Sequence, residues 1–389
     1  MSAAAGLPRV FFLDQSGDLG GAELSLLDIV AHYGGEKRIC LLADGPFAAR
    51  LRAAGHDVLV LPLSSGIRRS SGITAMLRSL PQLARVTFAI GRAARSHDLV
   101  YANTMKALVL AALSQPLHRR PVIWHIRDIL SPEHFSGMSR RVAILAANLG
   151  TRRQIANSEA TAAAFRAAGG RNPAVVIYNA IPTADFTPES RPALREALVR
   201  EAGLDPAAPV IGVFGRLAEW KGQHVAIEAV RAIPGAQLVI VGGALFGEDA
   251  AEARLRQQVT QAGMDDRVRF LGFRSDVPAL MGGVDIVVHS SIQPEPFGRV
   301  IVEAMLAGTP VIATKAGGAL EIVTEGDTGL LVPPGDAAAL SQALGRLTAD
   351  VSLRERLASA ALAEARARFS PESCFPRIEA VIRDAAGGR

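Results

Sequence analysis

One polarity pattern recurs along the chain. A short, mostly β-branched apolar run leads into a Gly- or Asn-containing turn, and a segment with apolar residues at helical spacing follows. In the first half the strand-like runs are Val10–Leu13, Ile39–Leu42, Val58–Leu61, Leu99–Ala102, Val122–Ile126, Gln154–Ala156 and Val175–Tyr178. Helical patterns lie between them, as at Ala22–Ala31 and Lys106–Ser114. The pattern lapses over 181–209, where Pro182, Pro188, Pro192, Pro206 and Pro209 surround a short helical piece near Leu194–Ala202. It then resumes with strand-like runs at Val210–Phe214, Leu238–Val241, Val268–Leu271, Ile286–His289, Val311–Ala313 and Gly329–Val332. The stretch 337–386 is helical throughout and rich in Ala, Arg and Leu.

The runs are apolar without alternation, which predicts strands buried on both faces of parallel sheets. Strands alternating with helices over two segments predict an α/β protein with two doubly wound domains. The expected division is a first domain over 1–185, a linker over 186–208, a second domain over 209–369 and a last helix over 370–389. Open parallel sheets bind ligands outside the carboxyl ends of their strands, so chemistry is expected in the loops just after strands. Two such domains facing each other would make a cleft.

Composition narrows the picture. At 389 residues and 49% hydrophobic, with a mean hydropathy of +0.23, the chain is neither disordered nor too short for two cores. Cys40 and Cys374 are its only cysteines, too few for a disulfide scaffold and in keeping with a reducing cytosol. The apolar runs Ala107–Leu113 and Val142–Leu149 fall far short of the roughly 18 residues a membrane-spanning helix needs. The start, MSAAAGLPRV, has no charged region followed by a long apolar one, so a secretory signal is not expected.

Charge is uneven. Residues 1–190 hold 21 Lys+Arg against 13 Asp+Glu, and residues 191–389 hold 21 against 24. A basic first half favours an anionic partner. The segment Ser65–His97 carries Arg68, Arg69, Arg78, Arg85, Arg92 and Arg95, with Leu77, Leu80, Leu83, Val86, Phe88 and Ile90 between them. It reads either as a surface helix with solvated arginines or as an attachment to the anionic inner face of the cell membrane. Aromatic residues are too sparse among the cations to suggest nucleic-acid binding.

The richest block runs from His289 to Gly318, HSSIQPEPFGRVIVEAMLAGTPVIATKAGG. Pro294 and Pro296 keep the loop out of the helix, which opens after Phe297 and Gly298. Backbone N–H groups of Gly298, Arg299 and Val300 would form a helix start suited to a diphosphate. Glu295 precedes that helix and Glu303 lies within it. Carboxylates repel phosphate but accept hydrogen bonds from hydroxyls, and a ligand with central phosphates and hydroxyl-rich ends satisfies both demands. That describes a nucleotide sugar. The plainer alternative is a capping carboxylate and a solvated glutamate.

A second block, VFGRLAEWKGQH (213–224), places Arg216 and Lys221 in a strand-to-helix loop between Gly215 and Gly222. Two cations there can neutralise a leaving pyrophosphate, or can simply be solvated. A third, SGDLGGAE (16–23), puts Gly20 and Gly21 at a turn opening a helix, either near a phosphate or as a tight turn and cap. His125 ends a strand in VIWHIRD, as a structural or a functional histidine. Arg127 and Asp128 read as a pair, and Asn157–Ser158–Glu159 as a helix cap. Phosphate-loop, HExxH, CxxC and GxSxG patterns are missing, as is a DxD-like pair after a strand. No metal or other cofactor is expected.

These residues resemble glycosyltransferase family 4, the retaining enzymes of the GT-B fold. The resemblance is carried by GGAE, HIRD and NSE in the first half and by GRLAEWKG, LVIVGG, FLGF and EPFGRVIVEAMLAGTPVIAT in the second. Glu295 and Glu303 reproduce the family's E-x7-E spacing. The resemblance implies two Rossmann-like domains, with the acceptor on the first and the nucleotide sugar on the second. The last helix is implied to cross back onto the first domain. It further implies that Arg216 and Lys221 hold the diphosphate, Glu303 the ribose hydroxyls and Glu295 the donor sugar, with the Phe297–Val300 amides close by. His125 would sit near the transferred sugar and Phe273 and Arg274 near the base, while Arg299 stands where the family is more often apolar. The implied reaction is metal-independent transfer of a sugar, with retained configuration, to a lipid-linked, oligosaccharide or polysaccharide precursor of the cell envelope. Glu295 is not expected to be a glycosidase-type nucleophile.

Three rivals remain. A sugar-nucleotide epimerase of the same fold would work without an acceptor. A nicotinamide oxidoreductase would want GxGxxG where SGDLGGAE stands. A non-catalytic nucleotide-sugar-binding subunit would bind donor without transfer.

Overall fold

The computed structural model describes residues 6–63, 73–182, 190–244 and 249–387, and it divides into two compact units. The first comprises residues 1–180 and 371–389, the second residues 181–370.

The first unit holds β1 (Val10–Asp14), α1 (Gly21–His32), β2 (Lys37–Leu41), α2 (Pro46–Ala53), β3 (Val58–Val60), α3 (Ile73–Ala94), β4 (Leu99–Ala102), α4 (Met105–His118), β5 (Val122–Ile126), α5 (Gly137–Gly150), β6 (Arg153–Ala156), α6 (Glu159–Ala167) and β7 (Val175–Val176). Its seven strands are all parallel, in the order β3-β2-β1-β4-β5-β6-β7. Both faces are buried, as continuous apolar strands require. On one face Phe12, Tyr101, Ile123 and Ile155 pack with α1. On the other Phe11, Val100, Trp124 and Ile126 pack with α3, α4 and α5.

The second unit holds α7 (Arg191–Ala202), β8 (Val210–Phe214), α8 (Gln223–Arg231), β9 (Gln237–Val241), α9 (Asp249–Gln261), β10 (Val268–Gly272), α10 (Val277–Gly283), β11 (Ile286–His289), α11 (Arg299–Leu306), β12 (Val311–Thr314), α12 (Ala319–Ile322), β13 (Leu330–Val332), α13 (Ala337–Ala349) and α14 (Val351–Phe369). Six parallel strands run in the order β10-β9-β8-β11-β12-β13. Each sheet thus reverses direction once, between β1 and β4 in the first unit and between β8 and β11 in the second. That reversal is the switch point where doubly wound sheets open a ligand crevice.

Helix α15 (Pro371–Gly387) follows α14 in sequence but belongs to the first unit. Cys374, Phe375, Ile378, Val381, Ile382 and Ala385 enter the core beside Phe12 and Tyr101. Phe375 stacks on His32, and Asp384 pairs with Arg153 at 2.6 Å.

Helix α7 lies inside the proline-rich stretch read from sequence as a linker, of which residues 186–189 are outside the described residues. It is an ordered part of the second unit. Arg191 donates to the carbonyls of Val284 and Gly308, and Arg195 pairs with Asp285 at 2.7 Å. Among the described residues no helix is long and apolar enough to cross a membrane. Of the basic segment Ser65–His97, residues 65–72 lie outside the described residues. Val86 and Ile90 of the remainder are core, so much of that helix's apolar face is already covered.

Candidate functional site

At the switch point of the second unit, three loops are laced together. The loop after β8 carries Gly215, Arg216, Trp220 and Lys221, and that after β11 carries Ser290, Ser291 and Glu295. Ser290 Oγ donates to the Lys221 carbonyl at 3.0 Å, and the Ile292 amide to the Trp220 carbonyl at 2.8 Å. The two strands are neighbours, so their loops meet at once. Gly222 is the hinge of this contact. Its φ is +68°, and a Cβ there would lie 2.0 Å from the Ser290 carbonyl oxygen. From the third loop, after β12, the Gly318 amide donates to the Glu295 carbonyl at 2.9 Å. Gly317, at φ +58°, leaves no space for a side chain against the same carbonyl.

Held from both sides, Glu295 is almost fully buried. Lys221 Nζ makes an ion pair with Oε1, Ser291 Oγ donates to it at 2.5 Å, and His289 Nε2 lies within ion-pair reach at 3.0 Å, off the line of a hydrogen bond. Burial works against ionisation here. The Lys221 ammonium and then His289 overcome it and hold the carboxyl well below its ordinary range. Lys221 also sits 4.4 Å from the centre of the Trp220 ring, with the Arg216 guanidinium 5.8 Å from the same ring. The result is a cation pair on one side of a fixed carboxylate.

Helix α11 begins immediately beyond. Gly298, at φ +105°, caps it and accepts from the Ile301 amide at 3.0 Å, with the Arg299 and Val300 amides ahead of that bond at the helix start. Phe297 is buried against Phe369, which anchors the turn. Arg299 reaches along the helix to Glu303 at 3.2 Å, both largely buried. Thus Arg216, Lys221, Gly215, Glu295, Phe297, Gly298, Arg299, Val300 and Glu303 all belong to the loops and helix start of one switch point. Phe273 and Arg274 are in the same unit, after β10. Phe273 is exposed. The Arg274 guanidinium is held by Glu201 and Asp276 in a surface cluster, so it is less open to a ligand than the sequence suggests.

The remaining candidates lie at the carboxyl edge of the first unit's sheet. Gly20 and Gly21 open α1, and the Gly20 amide donates to the Glu23 carboxyl at 3.0 Å, so the turn is at least a helix cap. His125 is fully buried, with Nδ1 2.5 Å from the Tyr101 hydroxyl and Nε2 without a partner among the described residues. Burial, then Arg127, holds it well below the usual histidine range, so the ring is neutral near pH 7.

Sequence reasoning missed the polar row beside it. Side chains alternate along a strand, so Asp14, Asn103 and Arg127 fall in step with Phe12, Tyr101 and His125 on one face. Asn103 donates to the Asp14 carboxylate (2.6 Å) and accepts from Arg127 Nε (2.9 Å), while Arg127 donates also to Asn179 (2.5 Å). Arg127 therefore bonds two asparagines, and its charge also acts on the adjoining Asp128. Burial pushes Asp128 to about 6 and Glu23 to about 8. Also missed were His289, Ser291 and Trp220. The block HSS after a strand was the available signal for the first two. The Asn157–Ser158–Glu159 reading stands as a cap, since Ser158 Oγ accepts from the Thr161 amide at 3.0 Å. Among the described residues no group of three His, Cys, Asp or Glu is placed to hold a metal.

Two switch-point crevices in two Rossmann-like units are the architecture of GT-B glycosyltransferases. The sequence matches the family described as Glycosyl transferases group 1 over residues 195–363 and Glycosyltransferase Family 4 over residues 47–185. The fold superposes on the crystal structure of Anabaena HepE in complex with UDP and glucose with a TM-score of 0.86 and 41% identity, covering 96% of this chain and 99% of that one. A structure of the same protein in complex with UDP-glucose matches at 40% identity and a TM-score of 0.86, over 97% of this chain and 100% of that one. Among curated relatives, the lipopolysaccharide core biosynthesis glycosyltransferase LpsE of Rhizobium meliloti is 41% identical over 42% of this chain and 47% of its own length. The lipopolysaccharide core biosynthesis mannosyltransferase LpsB of the same organism is 33% identical over 54% of this chain and 60% of its own. The chain thus spans about half the length of the curated relatives it matches. It belongs to glycosyltransferase family 4.

Proposed function

We propose that the protein transfers a sugar from a UDP-sugar to a hydroxyl of a lipid-linked, oligosaccharide or polysaccharide precursor of the cell envelope, on the cytoplasmic side. The observation that carries this reading is the Lys221–Glu295 pair at the start of α11, where cation, carboxylate and helix amides converge. The 41% identity to HepE, crystallised with UDP and glucose, supports the choice of donor.

In this reading the diphosphate lies against the α11 amides and Arg216, and the remaining N–H groups of Lys221 point to it. The carbon–oxygen bond to the β-phosphate breaks as the acceptor oxygen attacks from the same face. The proton of the acceptor hydroxyl passes to a released phosphate oxygen, and configuration is retained. Glu295 orients hydroxyls of the donor sugar, and Glu303, paired with Arg299, those of the ribose. His125, whose Nε2 has no partner among the described residues, donates to or accepts from the transferred sugar. Arg216, Lys221 and the helix start meet the diphosphate charge, so a metal is not required.

The test is transfer and hydrolysis assayed with UDP-, GDP-, ADP- and TDP-sugars, with and without EDTA, and with the anomeric configuration of the product read by NMR. Transfer from a UDP-sugar that survives EDTA and keeps its configuration is expected. Donor turnover yielding an epimerised sugar without acceptor would instead identify an epimerase.

A further inference from the structure

Tyr101 and His125 stand on neighbouring strands of the first unit's sheet. Tyr101 is in register with Ile123, so His125 is the next side chain along β5 on the same face. The two rings meet edge to face with centres 5.8 Å apart, and the phenol oxygen lies 2.5 Å from Nδ1. The Tyr101 ring also packs on Phe12, with centres 5.1 Å apart. Both residues are buried, so water does not serve their polar atoms.

Counting hydrogens assigns the ring. The Tyr101 hydroxyl has His125 as its hydrogen-bond partner among the described residues, and Nε2 has none among them. A neutral imidazole carries a single N–H. If Nδ1 carried it and donated to the phenol oxygen, the phenol O–H and the Nε2 lone pair would both be buried and unmet. If the phenol donates to Nδ1, Nε2 carries the hydrogen and one donor alone is left over. Every unmet buried polar group is costly, so the second arrangement wins. The ionised alternatives are closed. Burial, then Arg127, keeps the imidazole neutral, and burial pushes the Tyr101 phenol above its ordinary range.

We propose that Tyr101 is a positioning residue for sugar transfer: its hydroxyl fixes His125 as the Nε2–H tautomer, so that His125 donates a hydrogen bond to an oxygen of the donor sugar. This rests on the reading of His125 as facing the transferred sugar. In that tautomer Nε2 has no lone pair to take the acceptor's proton, so His125 is not the general base. The leftover N–H is met by a ligand oxygen, and the phenol aims it.

The test is nitrogen NMR of the full chain carrying labelled histidine, with the His125 signals assigned by their loss in His125→Ala. Near neutral pH a one-bond nitrogen–proton coupling at Nε2 is expected, with Nδ1 in the unprotonated range, and UDP-glucose should shift the Nε2 signal. Tyr101→Phe keeps the ring and removes the hydroxyl. It should move the Nδ1 signal and mix the two tautomers. It should also lower kcat about ten- to a hundredfold while KM for the UDP-sugar changes less than about twofold. Its unfolding, followed at Trp124, should stay cooperative. A proton on Nδ1 in the wild-type chain, or a Tyr101→Phe variant with unchanged tautomer and unchanged kcat, would overturn the proposal. An Nε2–H signal indifferent to UDP-glucose would overturn the placement of His125 at the donor sugar. Absence of transfer from every UDP-sugar by the wild-type chain, with the tautomer intact, would instead overturn the transferase reading beneath it.

Discussion

Lys221 and Glu295, 74 positions apart, meet as a buried ion pair that ties the loop after β8 to the loop after β11. Each partner therefore has two duties, one toward the fold and one toward a ligand. Removing Lys221 leaves a buried carboxylate with, among the described residues, His289 and Ser291 beside it. Lys221→Ala is expected to cost about 3–5 kcal/mol of second-unit stability and to lower turnover at least about tenfold. Adding Glu295→Gln should recover much of the stability and none of the activity. Urea unfolding paired with a transfer assay separates the two effects.

Gly222 supplies a sharper test of loop placement. An alanine there must either leave the left-handed region or displace the Ser290 carbonyl. A loss of about 1–3 kcal/mol is expected, with weaker UDP binding, because Lys221 is the adjoining residue. Calorimetric titration with UDP checks it. Unchanged affinity would mean the loop does not hold the nucleotide.

The first unit carries a pH dependence of its own. Glu23 is raised to about 8 and Asp128 to about 6, so folding favours their protonated forms. That stability is fully present below the ordinary carboxyl range and is lost as pH rises through 6 and then 8. The melting temperature of the first unit should fall between pH 6 and pH 9. Glu23→Gln, which still offers an oxygen to the Gly20 amide, should keep about 3–6 °C of that loss. Thermal melts across the range decide it.

Helix α15 is integral to the first unit's core. Ile382 is fully buried, and Ile382→Ala is expected to cost about 2–5 kcal/mol. Denaturation followed at Trp124, in the first unit, and at Trp220, in the second, should show the Trp124 transition move and the Trp220 transition stay.

The strands were legible because a parallel strand buried on both faces is a continuous apolar run. Boundaries moved by one or two residues, as at β7, an edge strand of only Val175–Val176 whose first side chain is exposed. Glu295 and Glu303 were legible from their spacing. Asp14, Asn103 and Asn179 were not. Each is a polar residue just after an apolar run, and its meaning comes from the strand order that sets β4 between β1 and β5. His289 and Ser291 were hidden for the same reason, since only the fold brings Glu295 back over them. In α5 the sequence shows an apolar run but not which side faces the core.

The split membership of α14 and α15 has a consequence for synthesis. During translation the first 180 residues emerge with a groove where Cys374, Phe375, Ile378 and Ile382 will later lie. The second unit is contiguous and can finish folding as it leaves the ribosome, whereas the earlier-made unit waits for a helix made after the second. A nascent chain arrested before Pro371 should therefore present that groove to chaperones, and full protease resistance of the first unit should arrive last.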